Sequence, residues 1–219
     1  MVAPFDLREH LLKQLDREIA HQNAGRPAKI IVKVNALVDQ VLIDKLYDAS
    51  KAGVAVQLIV RGICSLIPGV AGMSDNIQVI SVIDRYLEHS RIYYFENGGD
   101  AEVYLASADW MPRNLDRRIE VAFPVRDQDL KIRLKQEILD TYLQDNVKAW
   151  LMNSDGSYNR RIGTEDEVRV RAQSRVIELV REQGVQSISY DEAVKMNGIS
   201  ERPIARLKDS PKGGRRRRS

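Results

Sequence analysis

The stretch from Lys29 to Val60 constrains this chain more than any other. It holds the β-branched run Lys29–Val34 (KIIVKV), a helical stretch opened by Asp39, and a second apolar run, Val54–Val60 (VAVQLIV). Each apolar run is short, rich in Val and Ile, and reads as a buried strand. Between them Val41, Leu42, Leu46 and Ala49 recur at helical spacing and are expected to face inward, with Gly53 closing the helix. A strand, a crossover helix and a second strand require parallel pairing in an α/β sheet, because a parallel neighbour cannot be reached through a tight turn.

The flanks extend this unit. Asp6 to Gly25 reads as an amphipathic helix, with Asp6 as cap, Glu9 three residues on, and Leu7, Leu11, Leu12, Leu15 and Ile19 on one face. Arg61 to Asn76 is aperiodic and rich in Gly, Ser and Pro, and leaves the carboxyl end of a central strand, where open α/β sheets bind ligands. A strand near Ile77–Ile80 and a helical turn through Val82–Leu87 follow. Arg91–Phe95 and Val103–Ala106 form a strand pair around Asn97-Gly98-Gly99-Asp100. Arg118–Val125 is another strand, and Asp127–Leu143 a helix carrying Leu130, Leu134, Ile138 and Leu139. Beyond Asp145 the periodicity weakens, with helical patches at Val176–Val180 and Glu192–Met196. The expected division is a domain over residues 1–158 and an appended, partly helical tail over 159–219 with a basic, disordered end. The fold class is α/β, a central mixed and largely parallel sheet flanked by helices.

Composition narrows the function classes. Of 219 residues, 43% are hydrophobic and 30% charged, the proportions of a soluble globular protein, and no apolar run is long enough to span a bilayer. The start, MVAPFDLREH, lacks the basic region and apolar core of a secretory signal. A single cysteine, Cys64, excludes an internal disulfide and a thiolate zinc cluster, and fits a reducing, cytoplasmic setting. Three histidines, His10, His21 and His89, are too few for a protein-built transition-metal site. A net charge of +3 does not suggest nucleic acid as a partner, although the end Lys212-Gly213-Gly214-Arg215-Arg216-Arg217-Arg218-Ser219 is strongly basic and reads as a solvated tail or a polyanion tether.

The chemistry gathers between Tyr86 and Glu120. His89 and Arg91, two apart, project together if both are extended. Glu96 falls by odd spacing on the opposite face, so a carboxylate partner for His89 must come from elsewhere, with Glu88 and Glu120 as candidates. Arginine forks suit phosphate oxygens, and Arg61, Arg91, Arg117 and Arg118 could converge with His89 on a phosphate. Arg117 or Arg118 could equally pair with Glu120 or Asp116. Other residues read as structural. Trp110 and Met111 are expected to pack beneath the Ser107 turn. One of Tyr93 and Tyr94 should be core and the other exposed. Cys64 should be a buried small residue, Asp109 either a cap of the following turn or an orienting group for an arginine, and His10 and His21 part of a solvated helix face.

His89-x-Arg91, Glu96 and the turn Ala106-Ser107-Ala108-Asp109 resemble, with conservative departures, the H-x-K-x-x-x-x-D and G-S-x-N motifs of the phospholipase D superfamily. Longer blocks, NALVDQVLIDKLYDASKAGV, LIVRGICSLIPGV, SDNIQVISVIDRYLEHSRIYYFENGG and YLASADWMPRNLDRRIEVAFPV, resemble the C-terminal domain of bacterial polyphosphate kinase over roughly Ala3 to Gly156. The resemblance implies a phospholipase D-like α-β-α sandwich. It also implies reversible transfer of the terminal phosphate of ATP to polyphosphate through a phosphohistidine. That histidine would lie in a preceding domain outside this chain, which alone would not turn over. Arg61 and His89 would contact the nucleotide's phosphates, His89 as general acid or base, with Arg117 and Arg118 as further phosphate ligands. Mg2+ would accompany ATP, held mainly by groups outside the chain. Expected partners are ATP or ADP, polyphosphate, the upstream domains and further copies of the chain in a homo-oligomer, and the expected location is cytoplasmic, peripheral to the membrane or free. Two other classes stay open: a phospholipase D-type phosphodiesterase and a non-catalytic polyphosphate-binding module.

Overall fold

The structure, a computed structural model, describes residues 1–182. The Lys29–Val60 unit folds as the sequence demands: β2 (Lys29–Val34), α2 (Gln40–Lys51) and β3 (Ala55–Val60), with β2 and β3 parallel and in register from Lys29↔Ala55 to Val34↔Val60. Asp39 caps α2 by accepting from Leu42 N–H at 3.2 Å, and Gly53 closes it at φ +93°. Leu42, Leu46 and Ala49 point inward as expected, but Val41 is half exposed and Ile43 is buried in its place. Helix α1 (Leu7–Asn23) lies beside α2 and buries Leu7, Leu11 and Leu15 on one stripe. Asp6 does not cap it with its side chain, which instead accepts from Val2 N–H at 2.6 Å.

Parallel pairing continues only to β4 (Ile77–Val82). The other strands, β1 (Val2–Ala3), β5 (Arg91–Phe95), β6 (Glu102–Ala106), β7 (Glu120–Val125), β8 (Ala149–Met152) and β9 (Tyr158–Arg160), all pair antiparallel, giving one mixed sheet ordered β1-β7-β6-β5-β2-β3-β4-β8-β9. The sheet is therefore mixed but largely antiparallel. The βαβ signal is local and covers only its own strands, whereas hairpin partners chosen over long range decide the rest.

Helices cover both faces, in three layers. Ile30, Val32, Val34, Val56, Leu58, Tyr93 and Phe95 face α1 and α2. Ile31, Ile59, Ile80, Ile92 and Tyr94 face a second helical layer. Its long helical run is α3 (Gln128–Arg133), a π-helical stretch Leu134–Asp140 and α4 (Thr141–Gln144), joined by α5 (Ala172–Glu182). Because both faces are covered, Tyr93 and Tyr94 are both buried, at 0% and 4% exposure, where alternation alone suggested one in and one out.

Residues 83–90 are not helical as expected; β4 runs on to Val82 and the chain then continues without regular structure to β5. The turn at 97–100 is present as a short 3-10 turn, with Asn97, Gly98 and Gly99 all at positive φ. The Arg118–Val125 strand starts later, at Glu120, after a π-helical turn over Arg113–Arg117. The compact unit continues past residue 158 to Glu182, and α5 overlaps the helical patch expected at Val176–Val180. The Glu192–Met196 patch and the basic end lie outside the described residues. Among the described residues no helix is long and apolar enough to cross a membrane.

Candidate functional site

The sheet topology brings the chemistry to one end. The carboxyl ends of β2, β3 and β4 align, and Ile92 opposite Lys33 puts the start of β5 beside them. Arg91 opposite Ala106, and Ala106 opposite Ala122, add the end of β6 and the start of β7. The loops leaving these strands interlock. Leu37 N–H donates to Ile63 O and Ser65 N–H to Leu37 O, both at 2.9 Å, while Val38 N–H and Asp39 N–H share Trp110 O. With Gly62 N–H donating to Asn35 O and Trp110 N–H to Ala36 O, these backbone hydrogen bonds tie the loop after β2 to the loops after β3 and β6, so the site stands on a knitted surface.

At its centre is a buried ion pair. Arg91 donates through Nε to Asp109 Oδ1 at 3.1 Å and through Nη2 to Oδ2 at 2.9 Å, with both side chains about nine-tenths buried. Asp109 Oδ1 also accepts from Asn35 N–H at 2.7 Å. Burial alone would push the Asp109 carboxyl up, but the hydrogen bonds from Arg91 and Asn35 together hold it below the usual carboxylate range. Of the two roles open to Asp109 from the sequence, it takes the arginine-orienting one.

His89 is exposed and lies against this pair. Arg91 Nη1 is 3.0 Å from His89 Nδ1, and Nη2 is 3.2 Å from Nε2. Both ring nitrogens thus lie within hydrogen-bond distance of the Arg91 fork. The same Nη1 donates to His89 O at 3.0 Å. His89 and Arg91 do project together. Among the described residues no carboxylate partners the imidazole. Glu96 accepts from Tyr94 OH at 2.7 Å on the opposite face, as parity requires. Glu88 is taken by Lys33, Tyr142 and Gln173, and Glu120 by Ser107 and Asn114.

The other sequence-nominated cations flank His89. Arg61 follows β3, two strands from β5 on one side, and Arg117 and Arg118 precede β7, two strands away on the other. At the usual interstrand spacing each flank is rooted about 10 Å from the His89 strand. Arg61 is anchored through its backbone, N–H to Val34 O and carbonyl to Ser81 Oγ at 3.0 Å. Among the described residues the side chains of Arg61, Arg117 and Arg118 form no ion pair. The alternative partners of Arg117 and Arg118 are occupied, since Asp116 is bound by Arg8 at 2.5 Å and Glu120 lies in the Ser107–Asn114 network.

Trp110 is wholly buried, edge-on to Tyr93 at 5.6 Å, a structural residue as its position suggested. Tyr93 OH donates to Ala108 O at 2.6 Å, which ties the Ser107–Asp109 turn to β5. Cys64 is half-buried, and burial pushes its thiol up to about 11, so it is not an activated nucleophile. His10 is not on a solvated face: it meets Gln14 Nε2 at 2.7 Å and Tyr104 OH at 3.3 Å, and burial lowers its pKa. No three His, Cys, Asp or Glu side chains among the described residues are grouped to hold a metal.

Sequence reasoning passed over Lys33, Asn35 and Gln173. The signal for Lys33 was visible: a lysine inside the buried run KIIVKV must find a partner or lose its charge. Asn35 and Gln173 act through contacts across long sequence separation and left no local trace.

A family model described as polyphosphate kinase C-terminal domain 2 matches residues 1–173. A polyphosphate kinase of Pseudomonas aeruginosa is 52% identical over 176 residues, covering 80% of this chain and 25% of that protein. One of Burkholderia vietnamiensis is 55% identical over 159 residues, covering 73% and 23%. The crystal structure of the polyphosphate kinase from Porphyromonas gingivalis superposes with a TM-score of 0.80 at 41% identity, over 84% of this chain and 28% of that one. The chain thus spans about a quarter of the length of these relatives.

Proposed function

This chain belongs to the polyphosphate kinase C-terminal domain family, and from that premise we propose that it supplies one wall of a phosphoryl-transfer site acting on ATP or ADP and polyphosphate. The observation that supports this reading best is the exposed His89 imidazole lying on the buried Arg91–Asp109 pair, at the same sheet end as Arg61, whose guanidinium is unpaired among the described residues.

Arg61 lies at a strand end, where a cation can meet charge developing on a transferring phosphoryl group. His89 is placed to give a proton to, or take one from, a phosphate oxygen, since an exposed imidazole is the side chain suited to that exchange near neutral pH. Arg91 is too fully engaged by Asp109 to act as a free phosphate fork, and its role is to hold the imidazole. Arg117 and Arg118, exposed and without an ion pair among the described residues, would extend from the far flank the cationic strip along which a chain of phosphates can lie.

The nucleophilic histidine would lie outside this chain, which would be inactive alone and depend on the upstream domains, in a homo-oligomer. Mg2+ would enter bound to the nucleotide and screen its phosphate charge. The carboxylates beside His89 are committed to Arg91, Lys33 and Ser107, so they do not fit a metal site of their own. ATP as donor places the reaction in the cytoplasm, with membrane contact at most peripheral.

The test adds the upstream domains in trans and follows ATP formation from polyphosphate and ADP. Arg61→Ala and His89→Ala should each lower the rate by about a hundredfold, the scale of losing one transition-state donor or one proton-transfer group. Full activity in both variants sinks the assignment.

A further inference from the structure

The segment 83–90 carries His89, yet its own apolar side chains do not hold it in place. Ile83, Tyr86 and Leu87 are 64%, 50% and 83% exposed. Neither apolar core cluster takes a residue from 83–90. What fixes the segment is polar. Asp84 receives both Nε and Nη2 of Arg171, at 2.7 and 2.6 Å. The Gln173 amide binds the Tyr86 backbone in both directions, Tyr86 N–H to Oε1 at 2.9 Å and Nε2 to Tyr86 O at 2.8 Å. It also donates to Glu88 Oε1 at 2.8 Å. Glu88 further accepts from Tyr142 OH and, through Oε2, from Lys33 Nζ at 2.8 Å. Lys33 Nζ then reaches Ser90 Oγ at 3.0 Å. His89 is thus the single residue between two that share one buried ammonium.

The groups that do this holding are themselves fixed. Lys33 is 5% exposed near the carboxyl end of β2, with its ammonium 4.7 Å from the centre of the Tyr142 ring. Gln173 stands at the start of α5, whose first N–H, from Ala172, is taken by Asp145 Oδ2 at 2.8 Å. The other oxygen of that carboxylate, wholly buried, accepts from Val147, Lys148 and Ala149 N–H. Burial alone would raise Glu88, but its hydrogen bonds outweigh burial and keep it ionised, so the clamp is charged at neutral pH.

We infer that Gln173, Lys33 and Glu88 form a polar clamp that positions His89, and that α5 is by this route a working part of the site. The inference rests on the phosphate-binding reading of His89 for its consequence, though not for its geometry. Losing Gln173 removes three hydrogen bonds from a segment that has no apolar anchor among the described residues. The core should therefore survive while the segment moves.

The test uses the 219-residue chain, inorganic tripolyphosphate as probe, and the variant Gln173→Leu. Tripolyphosphate affinity should fall about tenfold, as expected if the segment spends about a tenth of its time in the competent position. In a His89→Ala background Gln173→Leu should cause no further loss, whereas in an Arg61→Ala background the losses should add. The His89 imidazole resonances should be sharp in the parent and should broaden or shift toward those of a free histidine in the variant. Tyr142→Phe, which removes one donor to Glu88 and keeps the ring, should show the same changes to a smaller degree and stands in if Gln173→Leu does not fold. Losses that add with His89→Ala, or unchanged His89 resonances in both variants, overturn the clamp. If the parent chain does not bind tripolyphosphate, the phosphate reading fails, and the resonances alone decide the clamp.

Discussion

Replacing Asp109 with Asn tests the buried pair on which His89 rests. The change keeps the side chain's size and one carbonyl acceptor, which can still receive Asn35 N–H and Arg91 Nε. It removes the charge and turns an NH2 group toward Arg91 Nη2, which now donates to Asp109 Oδ2 at 2.9 Å. Both side chains are only 9% exposed, so the guanidinium would be left buried, facing a donor and without a counter-charge. Breaking such a pair from one side costs about 3 to 5 kcal/mol, and the retained acceptor argues for the lower end, about 3 kcal/mol. For a domain of this size that corresponds to a fall in melting temperature of about 6 to 12 °C.

The pH dependence adds a second constraint. Asp109 is held below the ordinary carboxylate range in the folded chain and titrates at about 3.9 when unfolded. Its contribution is therefore present above about pH 3.9 and is lost as the pH falls through the depressed folded value. Thermal melts followed by far-ultraviolet circular dichroism should show a wide gap between parent and variant near neutral pH, closing in acid. Adding Arg91→Met to Asp109→Asn should restore part of the stability, since no buried charge is then unpaired. A fall of less than about 3 °C, or a gap that stays constant as pH falls while both proteins remain folded, refutes the reasoning.

Two further outcomes follow from the same structure. Cys64, with its thiol raised from 9.0 to about 11, should react with iodoacetamide about a hundredfold more slowly than a free cysteine near pH 8, because the reactive thiolate is scarcer by that factor; comparable rates, measured by mass spectrometry, would show the thiol to be exposed. Gly98→Ala should lower stability by about 1 to 2 kcal/mol in urea unfolding, because Gly98 sits at φ +67° and an added Cβ would come within 2.7 Å of the His21 ring; an unchanged midpoint would mean that the turn relaxes freely.

How much of this was legible in the sequence depended on how far apart the cooperating residues lie. Lys29–Val34 was readable to the residue because β-branched residues in an uninterrupted run suit a strand buried on both faces. The parallel pairing of β2 with β3 followed from the length of their connection, and the blocks around Arg61 and His89 were enough to indicate the family. Local pattern could not say that Lys33 answers Glu88 across 55 positions, that Arg91 answers Asp109 across 18, or that Gln173 reaches back 87 to Tyr86. The helical turn expected over Val82–Leu87 failed for the same reason: that segment takes its shape from Lys33, Arg171 and Gln173, not from its own periodicity.

The sequence alone determined the crossover unit, the apolar stripes of α1 and α2, and the set of cations and the histidine available for phosphate chemistry. These are properties of short windows, where propensity and spacing act directly. Only the tertiary structure decided that the sheet is largely antiparallel, that Tyr93 and Tyr94 are both covered, and that Asp109 orients an arginine. It also decided which carboxylates are taken before His89 could use them. Those outcomes depend on which strand ends and helices share one edge of the sheet, and that choice is made by burying both faces of the whole sheet at once.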